Sequence, residues 1–339
     1  YRRALYTASD IPFGDIDGDD IPEIAVGRLP ADTPSDVDAI VKKIIRYETD
    51  PPAGPWRRRV SAFASTGNFG IFDTTLEELT KKITRNNFDP LFDITMTYAG
   101  SRLPYFILPQ DFGDQVLRRF NEGSLVMSYM GHGHVTGYSD VCWRGDCEDI
   151  LELDGIDRID TGGRSPFFFS ICCLTGKFNT YTDCIVEEML KSSDGPVGVF
   201  AAAEVSAPFS NAILSKDLLY YMVAERSETI GRALLNIQRG LVERMDPDRE
   251  FLNRQYKLIA GDDGLYKDSV DHVYMYNFLG DPATKIAYPA DGLEIDVPER
   301  ADAGATVAVD IKAPSGPARL LVTLECHPTR IIPPVADIE

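Results

Sequence analysis

Histidine and cysteine are scarce in this chain of 339 residues, with four of the first and six of the second. No two cysteines stand at CxxC spacing, so a structural zinc site has little support, and six scattered thiols do not make a disulfide scaffold. Cys142 and Cys147 are the pair whose spacing allows a small closed loop, and two reduced thiols are an equal reading. Long apolar runs are missing too: the longest, 166–169 and 196–203, fall far short of the ~20 residues that span a bilayer. Basic residues are outnumbered 34 to 53, a formal net charge of −19. Such a surface repels phosphates and anionic lipid, which argues against nucleic-acid and membrane-surface partners. No GxGxxG or GxxxxGK[ST] follows an apolar run, so a nucleotide-binding α/β enzyme lacks its phosphate loop. No charged-then-apolar leader opens at Tyr1, and any export signal is expected to have been removed or to lie outside this sequence.

What is present is ordinary globular composition, 44% hydrophobic and 26% charged, enough for two compact units or one large unit with an appendage. Strand patterns at 23–29, 59–66, 93–99, 124–130, 165–171 and 196–202 alternate with helical periodicity. Thr33-Pro34 supplies a cap and a first-turn proline before apolar Val37, Ile40, Val41, Ile44 and Ile45. Further helices are expected at 75–87, 110–122, 211–225, 229–245 and near 250–259. Alternation of this kind predicts an α/β fold: a mainly parallel sheet with helices on both faces. After Tyr288-Pro289 the pattern changes to short alternating segments at 292–297, 306–311 and 319–324. These read as an incomplete Ig-like β-sandwich, since three strands cannot close one of about seven.

In an open parallel sheet, reactive groups collect beyond the carboxyl ends of the strands. The strand 124–130 runs into Gly131-His132-Gly133-His134, and the strand 165–171 runs into Cys172-Cys173-Leu174-Thr175-Gly176. Neighbouring strands would bring an imidazole and a thiol to one edge, a nucleophile and its base. Each cysteine taken alone is more often a small core residue than a nucleophile. The joint pattern, with glycines flanking His132, favours chemistry.

Tyr129-Met130-Gly131-His132-Gly133, Gly162-Gly163-Arg164 and Cys173-Leu174-Thr175-Gly176-Lys177-Phe178 together resemble the active-site segments of the gingipain-type cysteine peptidases, family C25. That family shares its fold with the caspases and legumain. Gly14-Asp15-Ile16-Asp17-Gly18-Asp19 through Ile24-Ala25-Val26-Gly27-Arg28, and Leu279-Gly280-Asp281-Pro282-Ala283, are similar to flanking segments of the same family. The resemblance spans roughly residues 8–288. It implies a caspase-like peptidase domain at 1–288, divided into an N-terminal subdomain (1–100) and a catalytic subdomain (101–288), with the Ig-like segment at 289–339. It also implies a first strand ahead of Tyr1.

Carried over residue by residue, the resemblance makes His132 the catalytic histidine and Cys173 the nucleophile of an endopeptidase working through a thioester, with no catalytic cofactor. The backbone amides of Gly133 and Cys173 become the oxyanion donors. His134 and Cys172 are then neighbours, the latter facing the core or shielding the nucleophile. Asp73 or Glu77 would be the acid that orients histidine in some members. Ser206 and Phe209 match the family's pocket wall. Glu204 beside it, or Asp146, would give a mild preference for Arg or Lys before the cut; acids in an acidic chain are also commonly plain surface. The resemblance further implies protein or peptide substrates and a secreted or cell-surface location. Two rival readings keep the fold: a transpeptidase that resolves the thioester with an amine, and a non-catalytic binding module. Oligomeric state is not legible.

Asp15, Asp17, Asp19 and Glu23 occupy positions 1, 3, 5 and 9 of a short acidic loop, a ligand spacing for structural Ca²⁺. The usual Gly at position 6 and Glu at position 12 are absent, and Asp and Gly also simply make turns.

Overall fold

The computed structural model describes residues 7–65, 91–99, 107–143, 146–260, 264–289, 294–298, 300–302 and 304–312. The expected helix at 75–87, the segment 319–324, and Asp73 and Glu77 lie outside them. The chain divides into two units, residues 1–288 and 289–339.

The first unit is built on a six-stranded sheet in the order β11-β10-β9-β3-β1-β2. Its strands are β1 (Arg59–Ala64), β2 (Asp93–Tyr98), β3 (Val126–Met130), β9 (Phe167–Ile171), β10 (Gly198–Ala202) and β11 (Tyr276–Leu279). All pairings are parallel except β10 with β11. β9 and β10 are buried along their whole length, as befits strands covered on both faces by helices. β1 and β2 belong to the same sheet as β3, so the first hundred residues share one sheet with those that follow. The chain leaves β1 toward β2 and then returns to the other side of β1 as β3. The direction of winding therefore reverses between β1 and β3, and ligands collect at such a point, beyond the carboxyl ends.

The helices are α1 (Pro34–Thr49), α2 (Pro109–Glu122), α3 (Ile185–Lys191), α4 (Pro208–Leu219), α5 (Ile230–Glu243), α6 (Pro247–Ala260) and α7 (Gly264–Met275). α1 starts where its cap predicts: Thr33 accepts from the Asp36 amide while the Asp36 carboxylate accepts from the Thr33 amide. This satisfies two otherwise orphaned donors. Ile40, Ile44 and Tyr47 form its buried face. α4 ends in a π-helical turn, Tyr220–Ala224.

Two expectations are corrected. Residues 23–29 do not form a strand of their own. Only Arg28 bridges to Leu279, donating its amide to Phe278 O and accepting from Gly280 N at 2.9 and 2.8 Å. Gly27 abuts Gly280 so closely that a β-carbon would stand 2.2 Å from its carbonyl oxygen, and proline brackets the segment at Pro22 and Pro30. The second correction is an addition: α7 and the antiparallel edge strand β11 are absent from the sequence reading. Met275 and Tyr276 join helix to strand without a turn, leaving no Gly or Pro boundary to see.

Between β3 and β9 lie the short strands β4 (Gly133–His134), β5 (Gly137–Tyr138) and β8 (Leu151–Glu152), which form a small sheet. The hairpin of β6 (Val141–Trp143) and β7 (Asp146–Glu148) is closed by a Cys142–Cys147 disulfide. In the second unit, β12 (Glu294–Asp296) and β13 (Asp310–Lys312) pair antiparallel. No helix among the described residues is long and apolar enough to cross a membrane.

Candidate active site

The register of β3 against β9 decides the site. Met130 pairs with Ile171, so the next residues, Gly131-His132-Gly133 and Cys172-Cys173, leave adjacent strands at the same level. Side chains alternate along each strand and its extension, and Cys172 turns inward: it is fully buried, with Sγ 3.3 Å from Ser170 Oγ and 3.5 Å from Thr175 Oγ1. Burial pushes its thiol up to about 12, so Cys172 stays protonated and inert. Cys173 is half-buried and reachable.

Both loops are held by backbone. The His132 carbonyl accepts from the buried Tyr129 hydroxyl at 2.8 Å and from the Ser139 amide at 3.2 Å. After Cys173 the chain makes a tight turn, with Leu174 at φ +63° and the Thr175 amide donating to Cys173 O at 2.8 Å. A leucine in that conformation is strained, and strain of this kind gathers at functional turns. The turn is tied to the end of β10 by Leu174 N–H to Glu204 O (3.2 Å) and Gly176 N–H to Ala202 O (2.9 Å).

The remaining expected site residues fall in different places. Ser206 stands beside the thiol: its carbonyl oxygen is 3.7 Å and its Oγ 3.8 Å from Cys173 Sγ. Glu204 reaches Lys177 of the turn, Oε1 to Nζ 2.5 Å, so its charge already has a partner. Phe209, expected on the pocket wall, lies on α4. It is buried edge-on against Tyr256, ring centroids 5.1 Å apart, because α4 turns that side toward α6. Asp146 opens β7 of the disulfide-closed hairpin.

His134 Nδ1 lies 3.2 Å from Thr136 Oγ1 and Nε2 lies 3.1 Å from Glu152 Oε1. Burial, partly offset by His134, pushes the Glu152 carboxyl up. Glu152 also lines an open groove of about 210 Å³ between α2 and the segment after β7, with Asp114, Glu148, Asp149, Asp154 and Arg158. A hydrogen bond with Asp140 raises Asp149 there.

Carboxylate oxygens of Asp15, Asp17 and Asp19 lie within 4.8 Å of one another. Glu23 turns Oε2 to the Ile16 amide at 2.8 Å, with its charge still near Asp17. Desolvation and the nearby charges of Asp19 and Glu23 push Asp17 up. Asp20, at φ +73°, accepts from the Tyr274 hydroxyl at 2.9 Å and ties this loop to α7.

The sequence reading missed one group of residues behind the thiol. The buried imidazole of His272 on α7 accepts the Ala207 amide at Nε2 (2.9 Å), and its Nδ1 lies 2.6 Å from Asp268 O. Asn211 Nδ2 donates to Ser206 Oγ at 2.8 Å, and the Tyr276 hydroxyl donates to Asn211 Oδ1 at 2.7 Å. No local signal marks these residues, which come from α4, α7 and β11.

The profile of peptidase family C25 matches residues 2–287. No curated protein matches by sequence. Among solved structures, the chain is similar to the Arg-specific cysteine proteinase gingipain R, with a TM-score of 0.61 and 16% identity over 90% of this chain. It is also similar to the complex of pro- and mature domains of RgpB from Porphyromonas gingivalis, with a TM-score of 0.60 and 16% identity over 89% of this chain. The chain spans 66% and 67% of the lengths of those two relatives. At these identities the likeness is one of fold.

Proposed function

The chain belongs to peptidase family C25, and on that premise we propose that it is a cysteine endopeptidase with Cys173 as nucleophile and His132 as its base. His132 takes the thiol proton, and the thiolate attacks the carbonyl carbon of the scissile bond. The backbone amides of Gly133 and Cys173 receive the developing oxyanion. Collapse expels the amine, which leaves with the proton from His132, and a thioester remains on Cys173. Water, deprotonated by His132, then releases the acid. The observation that carries this reading is the β3–β9 register, which sends the His132 and Cys173 loops out side by side.

Supporting features extend the proposal. The acidic groove at Glu148, Asp149, Glu152 and Asp154 contributes negative potential that favours Arg or Lys before the cut, and Glu204 would add to it on exchanging Lys177 for the substrate cation. A disulfide at Cys142–Cys147 suits an extracytoplasmic compartment. The Asp15, Asp17 and Asp19 cluster has the oxygen donors that Ca²⁺ takes, with a structural role.

The test is hydrolysis of fluorogenic peptides varied at the residue before the cut. Cys173→Ala and His132→Ala should each lose activity by at least a thousandfold with unchanged circular dichroism, because the two act as one unit. Cys172→Ala and His134→Ala should keep most of it. Activity surviving in Cys173→Ala would overturn the assignment.

A further inference from the structure

Ser206 lies against the Cys173 thiol through both its carbonyl and its hydroxyl oxygen, and it does not stand alone. Its oxygen accepts from Asn211, and Asn211 is aimed by the buried Tyr276 hydroxyl. The next residue, Ala207, is pinned by His272. Asp268 O can only accept, so Nδ1 carries the imidazole proton and Nε2 is left bare for the Ala207 amide. Burial favours this neutral form, pushing His272 down against the pull of Asp268. The turn that carries Ser206 is therefore fixed through both its side chain and its backbone.

We propose that Ser206 is a further catalytic residue, whose hydroxyl donates a hydrogen bond to the Cys173 thiolate, with Asn211, Tyr276 and His272 as its positioning residues. In the resting thiol, Cys173 S–H donates to Ser206 O. Once His132 has taken the proton, sulfur becomes an acceptor, and the Ser206 hydroxyl is the donor within reach. Asn211 occupies an acceptor lone pair of Ser206 Oγ, and the Tyr276 hydroxyl is also in hydrogen-bond contact with Ser206, so the Ser206 hydroxyl proton turns from Tyr276 to sulfur once the thiolate forms. No proton is transferred in this contact. A hydrogen bond to a charged group is stronger than one to a neutral group, so the contact favours the thiolate over the thiol.

The inference rests on the reading of Cys173 as nucleophile, and its test separates the two. Titratable groups around the pair are Cys172 on the same turn, His132 and Tyr129 from β3 and its loop, Tyr276 on β11, Glu204 with Lys177, and His272 with Asp268 on α7. Iodoacetamide labelling of the folded protein, read from pH 5 to 9 on the peptide that carries Cys173, reports the thiolate there, since Cys172 on the same peptide is buried. Ser206→Ala is expected to slow labelling at pH 7 about tenfold and to move the rate curve up by about one pH unit. The value of kcat should fall by a similar factor while KM stays unchanged. Asn211→Ala, which removes the donor that orients Ser206 Oγ, should shift labelling in the same direction by about two- to threefold.

A wild-type labelling curve in Ser206→Ala, or a rise in KM alone, overturns the proposal; the second outcome would make Ser206 a substrate contact. Peptide cleavage by Cys173→Ala would instead overturn the nucleophile assignment.

Discussion

A β-carbon on Gly133 would stand 3.0 Å from the carbonyl oxygen of Cys173. It would also meet Cys172 Sγ at 2.7 Å and Thr175 Cγ2 at 2.9 Å. The loop carrying His132 and the turn carrying Cys173 thus meet backbone against backbone, with no room for a side chain between them.

That contact yields the first prediction. Gly133→Ala forces the two loops apart by a few tenths of an ångström at least, since Cys172 Sγ is buried and Cys173 O belongs to a strained turn. We expect kcat/KM to fall by roughly ten- to a hundredfold and stability to drop by about 1–3 kcal/mol. Steady-state kinetics with a denaturation curve would check it; unchanged kinetics would show that the loops are not held by this contact.

The Lys177–Glu204 pair sharpens the question of specificity. If Glu204 receives the substrate cation, it must share or leave Lys177. Glu204→Gln should then lower kcat/KM for Arg and Lys peptides by roughly ten- to a hundredfold, while Lys177→Met raises it. Peptides with Ala or Asn before the cut should hardly respond. A uniform loss across all peptides would instead assign Glu204 to holding the turn, whose Leu174 amide donates to Glu204 O.

Calcium should stiffen the acidic loop, because a divalent ion relieves repulsion among Asp15, Asp17 and Asp19 only when the loop is folded. At about a hundredfold excess over Kd the linkage is worth about 2.7 kcal/mol, roughly 4–5 °C in Tm for a unit of this size. Melting in EGTA against excess calcium would show the shift, and Asp17→Ala should abolish it. Identical Tm values in wild type would leave the loop as turn chemistry alone.

Asp217 on α4 supplies a pH signature away from the site. It is buried, its Oδ1 accepts from Arg244 at 3.2 Å, and Oδ2 has no hydrogen-bond donor. Burial, opposed by Arg244 and Lys216, pushes its carboxyl up to about 6 from 3.8. The folded state therefore binds this proton more tightly than the unfolded state. Its cost to stability is absent below about pH 4, grows as pH rises, and is complete above about pH 6. Asp217→Asn keeps an acceptor for Arg244 and removes the titration. Relative to wild type, its Tm should gain roughly 3 °C between pH 4.5 and 7.5, from about 2 kcal/mol of the ~3 kcal/mol full effect. A constant difference across that range would contradict this.

Local chemistry was enough to read the strand-ending motifs. A buried apolar run followed by Gly-His-Gly or Cys-Cys-Leu-Thr-Gly shows both where a strand stops and what it delivers, and Thr33-Pro34 marks a helix start by its own capping bonds. The sheet class followed from alternation, whose periods are set by neighbours along the chain. Other features depended on residues far apart in sequence. Which way each of two adjacent cysteines faces depends on the β3–β9 register and the turn at Leu174. Whether Glu204 is available depends on Lys177, 27 residues earlier. That Phe209 packs edge-on against Tyr256 depends on α6, some 47 residues later. The Tyr276–Asn211–Ser206 relay spans 65 residues between its first two members and leaves no periodicity behind, because hydrogen bonds between separate elements constrain positions in space and impose no spacing on the chain. Composition and local pattern determined the fold class and the strand ends; only packing decided which side chains face the thiol.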